Sequence, residues 1–169
     1  VFSDNLNKFW LNQQDFLITT GMTDLTQNQE TYKLNSAVDL LWATNIMFSK
    51  TPEVKLLFDL IAYIKTEYAY FSKIYEFNPW QFRNDFAFSI AIHIMNGKTN
   101  GEFATELPGK MTYTIDKDVL VSIDDVDMKF LIEKENHIGE YIFAKTTGID
   151  VHVMNKFSLS RFIDGGCGV

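Results

Sequence analysis

Residues 41–68 read LWATNIMFSKTPEVKLLFDLIAYIKTEY, an apolar strand-like run followed directly by a helix, and this succession sets the fold class. Thr51 can cap free helical amides, Pro52 is tolerated at the first helical position, and the Glu53 carboxylate suits the positive end of the helix dipole. Val54, Leu57, Phe58, Ile61, Ile64 and Tyr68 then fall on one helical face. Upstream, Leu41 to Phe48 predicts a buried strand.

Outward from this stretch, a second helix is predicted over about Asn84 to Met95. Phe86, Ile90, Ala91 and Ile94 face inward, Asp85 lies in its first turn, and Asn96-Gly97 is the stop. Toward the start, Asp4 caps a short helix through Trp10, Asp15 to Thr20 is a strand, and residues 22–35 are a loop. After Gly101 the pattern changes to short strands at about 111–115, 119–123, 128–133, 140–145 and 150–154. Asp116-Lys117-Asp118 turns the first pair, and Phe157 to Ile163 forms a final helix. The expected class is α/β shading into α+β. With no repeat, low-complexity segment or linker, residues 1–169 are expected to form a single domain.

The 46% apolar and 15% aromatic content places the chain among folding sequences rather than disordered ones. Its one cysteine, Cys167, allows neither a disulfide framework nor a cysteine zinc site, which fits a reducing, cytoplasmic setting. A net charge of −7 argues against binding a nucleic-acid backbone. Charged and polar residues interrupt every apolar run well before about 18 residues, so no membrane span is expected. No basic region followed by an apolar stretch marks a secretory signal, and the chain opens on Val1. The expectation is therefore a natural polypeptide that begins earlier.

Several reactive constellations are missing. The sequence has no Gly-x-Ser-x-Gly, no Gly-x-x-x-x-Gly-Lys, no Gly-x-Gly-x-x-Gly and no His-Glu-x-x-His, which removes support for common hydrolase and kinase chemistries. Carboxylates near a single His favour a hard divalent cation, Mg2+ or Mn2+, over zinc. Asp116-x-Asp118 and Asp124-Asp125-Val126-Asp127 have a spacing suited to a metal-diphosphate, although solvated turns have the same composition. His152, in the apolar run Ile149 to Met154, is either a hydrogen-bonded core residue or a ligand, and the residues alone favour the former. Asp85 reads as a helix-start carboxylate paired with Arg83. His93 reads as structural, and His137 as a turn residue.

The stretch Leu41-Trp42-Ala43-Thr44-Asn45-Ile46-Met47-Phe48, the helix after Thr51-Pro52-Glu53, and Phe82-Arg83-Asn84-Asp85-Phe86-Ala87 together resemble nucleotide-sugar glycosyltransferases of the GT-A fold. The likeness is to glycogenin-like members and, more closely, to glycosyltransferase-like proteins of marine bacteria and phages. It covers residues 1–100 well and 148–160 loosely, where Val151-His152-Val153-Met154-Asn155-Lys156 is similar to the late strand that carries a metal-binding His and a diphosphate-binding Lys. The resemblance implies the C-terminal half of a GT-A fold, with helices packed on a mixed sheet and added β-hairpins. The half carrying the Asp-x-Asp motif would precede Val1, and such a half-fold is expected to self-associate into a homo-oligomer.

In function, the resemblance implies a metal-dependent enzyme that transfers a sugar from a nucleotide-sugar donor to a carbohydrate or other hydroxyl acceptor. Asp85 would act on the acceptor as the catalytic group, and Asn45, Arg83, Asn84 and Lys156 would contact substrate. His152 would bind Mn2+ or Mg2+. The competing expectation is a non-catalytic relative that serves as a binding or assembly module.

Overall fold

The computed structural model describes residues 15–25, 29–30, 38–99, 101–109, 111–134 and 136–164. The expected helix from Asp4 to Trp10 lies outside them. The chain is a mixed α+β protein with small sheets, and it divides into two compact units.

One unit comprises residues 9–21 and 30–107. Its sheet contains β1 (Phe16–Thr19), β4 (Trp42–Phe48) and β5 (Thr105–Glu106) in the order β4-β1-β5. β1 runs antiparallel to β4 and parallel to β5. The cap predicted for the first long helix, α1 (Pro52–Thr66), is present: the Val54 amide donates to Thr51 Oγ1 at 3.3 Å. Val54, Leu57 and Ile64 on its inner face are buried, while Tyr68 belongs to a separate helix, α2 (Tyr68–Ile74). The third helix, α3, spans Asn84–Met95, and Gly97 at φ 70° follows its end, where only a glycine turns without steric cost. α1 and α3 pack on one another, and α3 packs on β4. Phe16, Ile18, Leu57, Ile90 and Ala91 are fully buried in the resulting core.

β4 is only partly buried, not the buried strand expected, because it takes an outer position in its sheet. Its pairing with β1 is also interrupted. Ile18 faces Ile46 but Thr19 faces Trp42, so Ala43, Thr44 and Asn45 have no partner on β1.

The other unit comprises residues 1–8, 22–29 and 108–169. One of its sheets has the order β10-β6-β2-β3, from β2 (Met22–Asp24), β3 (Gln29–Glu30), β6 (Met111–Tyr113) and β10 (Asp150–His152). β6 runs parallel to both β2 and β10. The second is an antiparallel meander of β7 (Val119–Asp124), β8 (Asp127–Glu133) and β9 (Tyr141–Thr147). Leu120, Met128, Phe130, Val151 and Val153 bury one another between the two sheets. The last helix, α4 (Lys156–Asp164), is capped by Asn155, whose Oδ1 accepts from the Ser158 amide, and Ser158 Oγ accepts from the Leu120 amide on β7.

Two expectations are corrected here. Residues 22–24, expected in a loop, form β2, and Asp116-Lys117-Asp118 does not close a hairpin. Both flanks of β6 are taken by parallel partners, so the chain leaves that sheet at this turn and starts the meander. No helix among the described residues is long and apolar enough to cross a membrane.

Candidate functional site

His152 ends β10, and the parallel register supplies it with neighbours that sequence spacing could not. His152 aligns with Tyr113 on β6, and Tyr113 aligns with Asp24 on β2. Aligned residues of parallel strands project from the same face, so a half-buried imidazole, phenol and carboxylate stand in one row. On the opposite face Thr23 and Thr112 bring their hydroxyls to 3.3 Å, which agrees with this alternation. The row lies at the carboxyl ends of three strands, where open α/β sheets place their ligands.

Immediately after β6, Asp118 folds back on its own turn. Its amide donates to the Ile115 carbonyl at 3.1 Å, and its Oδ2 accepts from the Ile115 amide at 2.8 Å. The residue is 4% exposed and its Oδ1 has no hydrogen-bond partner. Burial pushes its carboxyl above the ordinary carboxylate value and the Asp24 charge adds to this, while the Ile115 amide opposes them. Asp118 is thus not the solvated turn residue that composition favours. Asp124, at the end of β7, and Asp125, in the turn to β8, are exposed. Asp127 pairs with Lys145 at 2.7 Å and accepts from Thr147 at 2.6 Å, and these bonds hold its carboxyl below the ordinary value.

A raised carboxyl favours the folded state at low pH, and that advantage is lost as pH rises through the folded-state value. Asp118→Asn keeps an oxygen for the Ile115 amide and removes the buried charge. It is expected to stabilise the protein at pH 7 by about 1 kcal/mol and to leave stability unchanged in acid, where Asp118 is already neutral. Melting temperatures of both proteins across the acid range will show a gap that widens as pH rises. A constant gap would mean that charge is not the cause.

Lys156 opens α4 on the same unit as His152, and its ammonium donates to the Val153 carbonyl. Among the described residues no group of three or more His, Cys, Asp or Glu side chains is arranged to hold a metal ion. His152 and Asp24, which stand two strands apart in this register, are therefore no more than two potential donors to a hard cation.

The other predicted site residues belong to the other unit. Asp85 Oδ1 accepts from the Ala43 amide at 2.9 Å, and its Oδ2 accepts from Arg83 Nη2 at 2.7 Å. The Ala43 amide needs this partner because the β1–β4 ladder breaks there. One turn later, Ser89 Oγ accepts from the Leu41 amide and donates to the Asp85 carbonyl, both at close range. Arg83 also lies over the Phe86 ring, 5.2 Å from its centroid. Arg83, Asp85 and the interrupted segment containing Asn45 are thus assembled locally, and Asn84 is exposed at the helix start. Asp24, Tyr113 and the burial of Asp118 went unread in the sequence, since none has a motif of its own.

No protein-family model matches the chain, and comparison with curated proteins and with solved structures finds no match.

Proposed function

We propose that the chain belongs to a metal-dependent glycosyltransferase of the GT-A type, which moves a sugar from a nucleotide-sugar to a hydroxyl acceptor. The observation that carries this reading is His152 at the carboxyl end of a parallel strand, in register with Asp24, with Lys156 opening the next helix. A neutral imidazole can ligate Mn2+ or Mg2+, and an ammonium is a point charge suited to phosphate. The cation, when bound, would neutralise the departing diphosphate. Tyr113, which stands between His152 and Asp24 in the register, would add a phenol to this row that can hydrogen-bond a phosphate oxygen.

One observation favours the non-catalytic module instead. Asp85 Oδ1 is taken by the Ala43 amide of β4 and its Oδ2 by Arg83, which leaves the acceptor without its expected base. Titrating Mn2+ into the protein with UDP present, followed by electron paramagnetic resonance, separates the two readings. The transferase reading expects binding that weakens about tenfold or more in His152→Ala. Equal Mn2+ affinity in a folded His152→Ala variant would overturn it in favour of the module.

A further inference from the structure

A second recess lies wholly within the unit of residues 9–21 and 30–107, and no role has been given to it. Asp85, Ser89 and His93 on α3, with Asn96 capping its end, follow helical spacing along one stripe, with Ile92 beside them. The amino end of this stripe is closed by the Asp85 bond to Ala43 on β4 and the Ser89 bond to Leu41 just before it. Its carboxyl end borders a cavity of about 200 Å³. Ile18, Val38 and Ile92, all buried, make an apolar floor. Thr20, Asp39, His93, Asn96 and Thr99 supply a polar rim.

The rim chemistry restricts the occupant. It mixes acceptors with donors, and the described lining residues include no Lys or Arg to hold a phosphate or carboxylate. A single carboxylate with two hydroxyls, an imidazole and an amide suits the alternating donor and acceptor hydroxyls of a polyol, while the apolar floor suits its C–H face. The volume lies below the range of about 300–1,000 Å³ typical of drug-sized ligands, which points to one sugar ring.

Asn96 is also held in place. Its Oδ1 accepts from the Phe103 amide at 3.1 Å, which leaves its amide nitrogen to donate. Gly101 makes room for this arrangement, since a Cβ there would lie 2.5 Å from Asn96 Oδ1.

We infer that this cavity binds a neutral monosaccharide, with Asp39, His93 and Asn96 as its hydrogen-bonding groups. This deepens the transferase reading by giving the acceptor a seat away from Asp85. The binding step itself requires neither donor nor metal, so its test is independent of His152.

Saturation-transfer NMR on the full chain, with D-glucose, D-mannose and N-acetyl-D-glucosamine as separate probes, decides the matter. At least one sugar is expected to bind in the millimolar range. Gly101→Ala and Asp39→Asn should each weaken it about tenfold, the factor set by roughly one lost hydrogen bond. Two variants guard against a folding defect in either, checked by circular dichroism. The inference is overturned if none of the sugars binds, if both folded variants bind as well as the parent, or if methyl phosphate or 1,4-diaminobutane binds in their place. Loss of sugar binding with Mn2+ binding intact would remove this site alone, and the reverse would remove only the role of His152.

Discussion

Substituting alanine for Phe16 is expected to cost about 3–5 kcal/mol, the largest loss from any single change considered for this protein. Phe16 is 0% exposed. Its ring stacks on Phe88 at 6.1 Å and Phe103 at 6.3 Å between centroids, and meets Phe58 edge-on at 6.4 Å. Three elements therefore lose a shared packing surface at once, and rings held between others cannot collapse far into the void. Phe16→Leu retains most of the volume and should cost less than about 2 kcal/mol, whereas Trp80→Ala, at a residue 92% exposed, should stay within about 0.5 kcal/mol. Denaturant midpoints of the three variants provide the check. A Phe16→Ala cost no larger than that of Trp80→Ala would show that the aromatic cluster is not the core of its unit.

Asp85→Ala is expected to cost about 2 kcal/mol, mainly because the Ala43 amide then loses its acceptor in a half-buried position. The ion pair with Arg83 adds little, since the guanidinium is 39% exposed and screened by water. Asp85→Asn keeps an oxygen for Ala43 and should cost under about 1 kcal/mol. Thermal unfolding distinguishes this structural role from a purely catalytic one, which predicts that both variants melt with the parent. Under the proposed transferase activity, a drop in turnover in Asp85→Ala with little change in Asp85→Asn would mark Asp85 as a positioning residue.

The parts of the fold that were legible in the sequence are those whose causes are local. Thr51-Pro52-Glu53 starts a helix through its own cap, and Asn96-Gly97 ends one because Gly97 adopts the left-handed turn. The meander was readable from alternation, with Met128, Phe130 and Ile132 buried on one face of β8. What escaped was set by distant partners. Met22–Asp24 and Thr105–Glu106 are strands only because parallel neighbours receive them, and the aromatic helix Tyr68–Ile74 lacks a side-chain cap. The candidate site divides in the same way. His152 and Lys156 stood out as a short motif, but Asp24 and Tyr113 join them through register alone. Asp85 was identified by position, and its two bonds became visible only with the break in the β1–β4 ladder.

That break also affects the order of assembly. From Ile46 to Phe48, β4 is held by its ladder to β1, in register with Ile18 to Phe16. That register ends at Asn45, and β4 faces β1 again only at Trp42, opposite Thr19. Beyond Asn45 the amides of Ala43 and Leu41 are satisfied by Asp85 and Ser89, which are 42 and 48 residues further along the chain. The closure entropy of those loops must be met before the two amides reach their acceptors, so these bonds form only once α3 has docked. One strand is thus secured by two different partners, its neighbour in the sheet and a helix that follows much later in the chain.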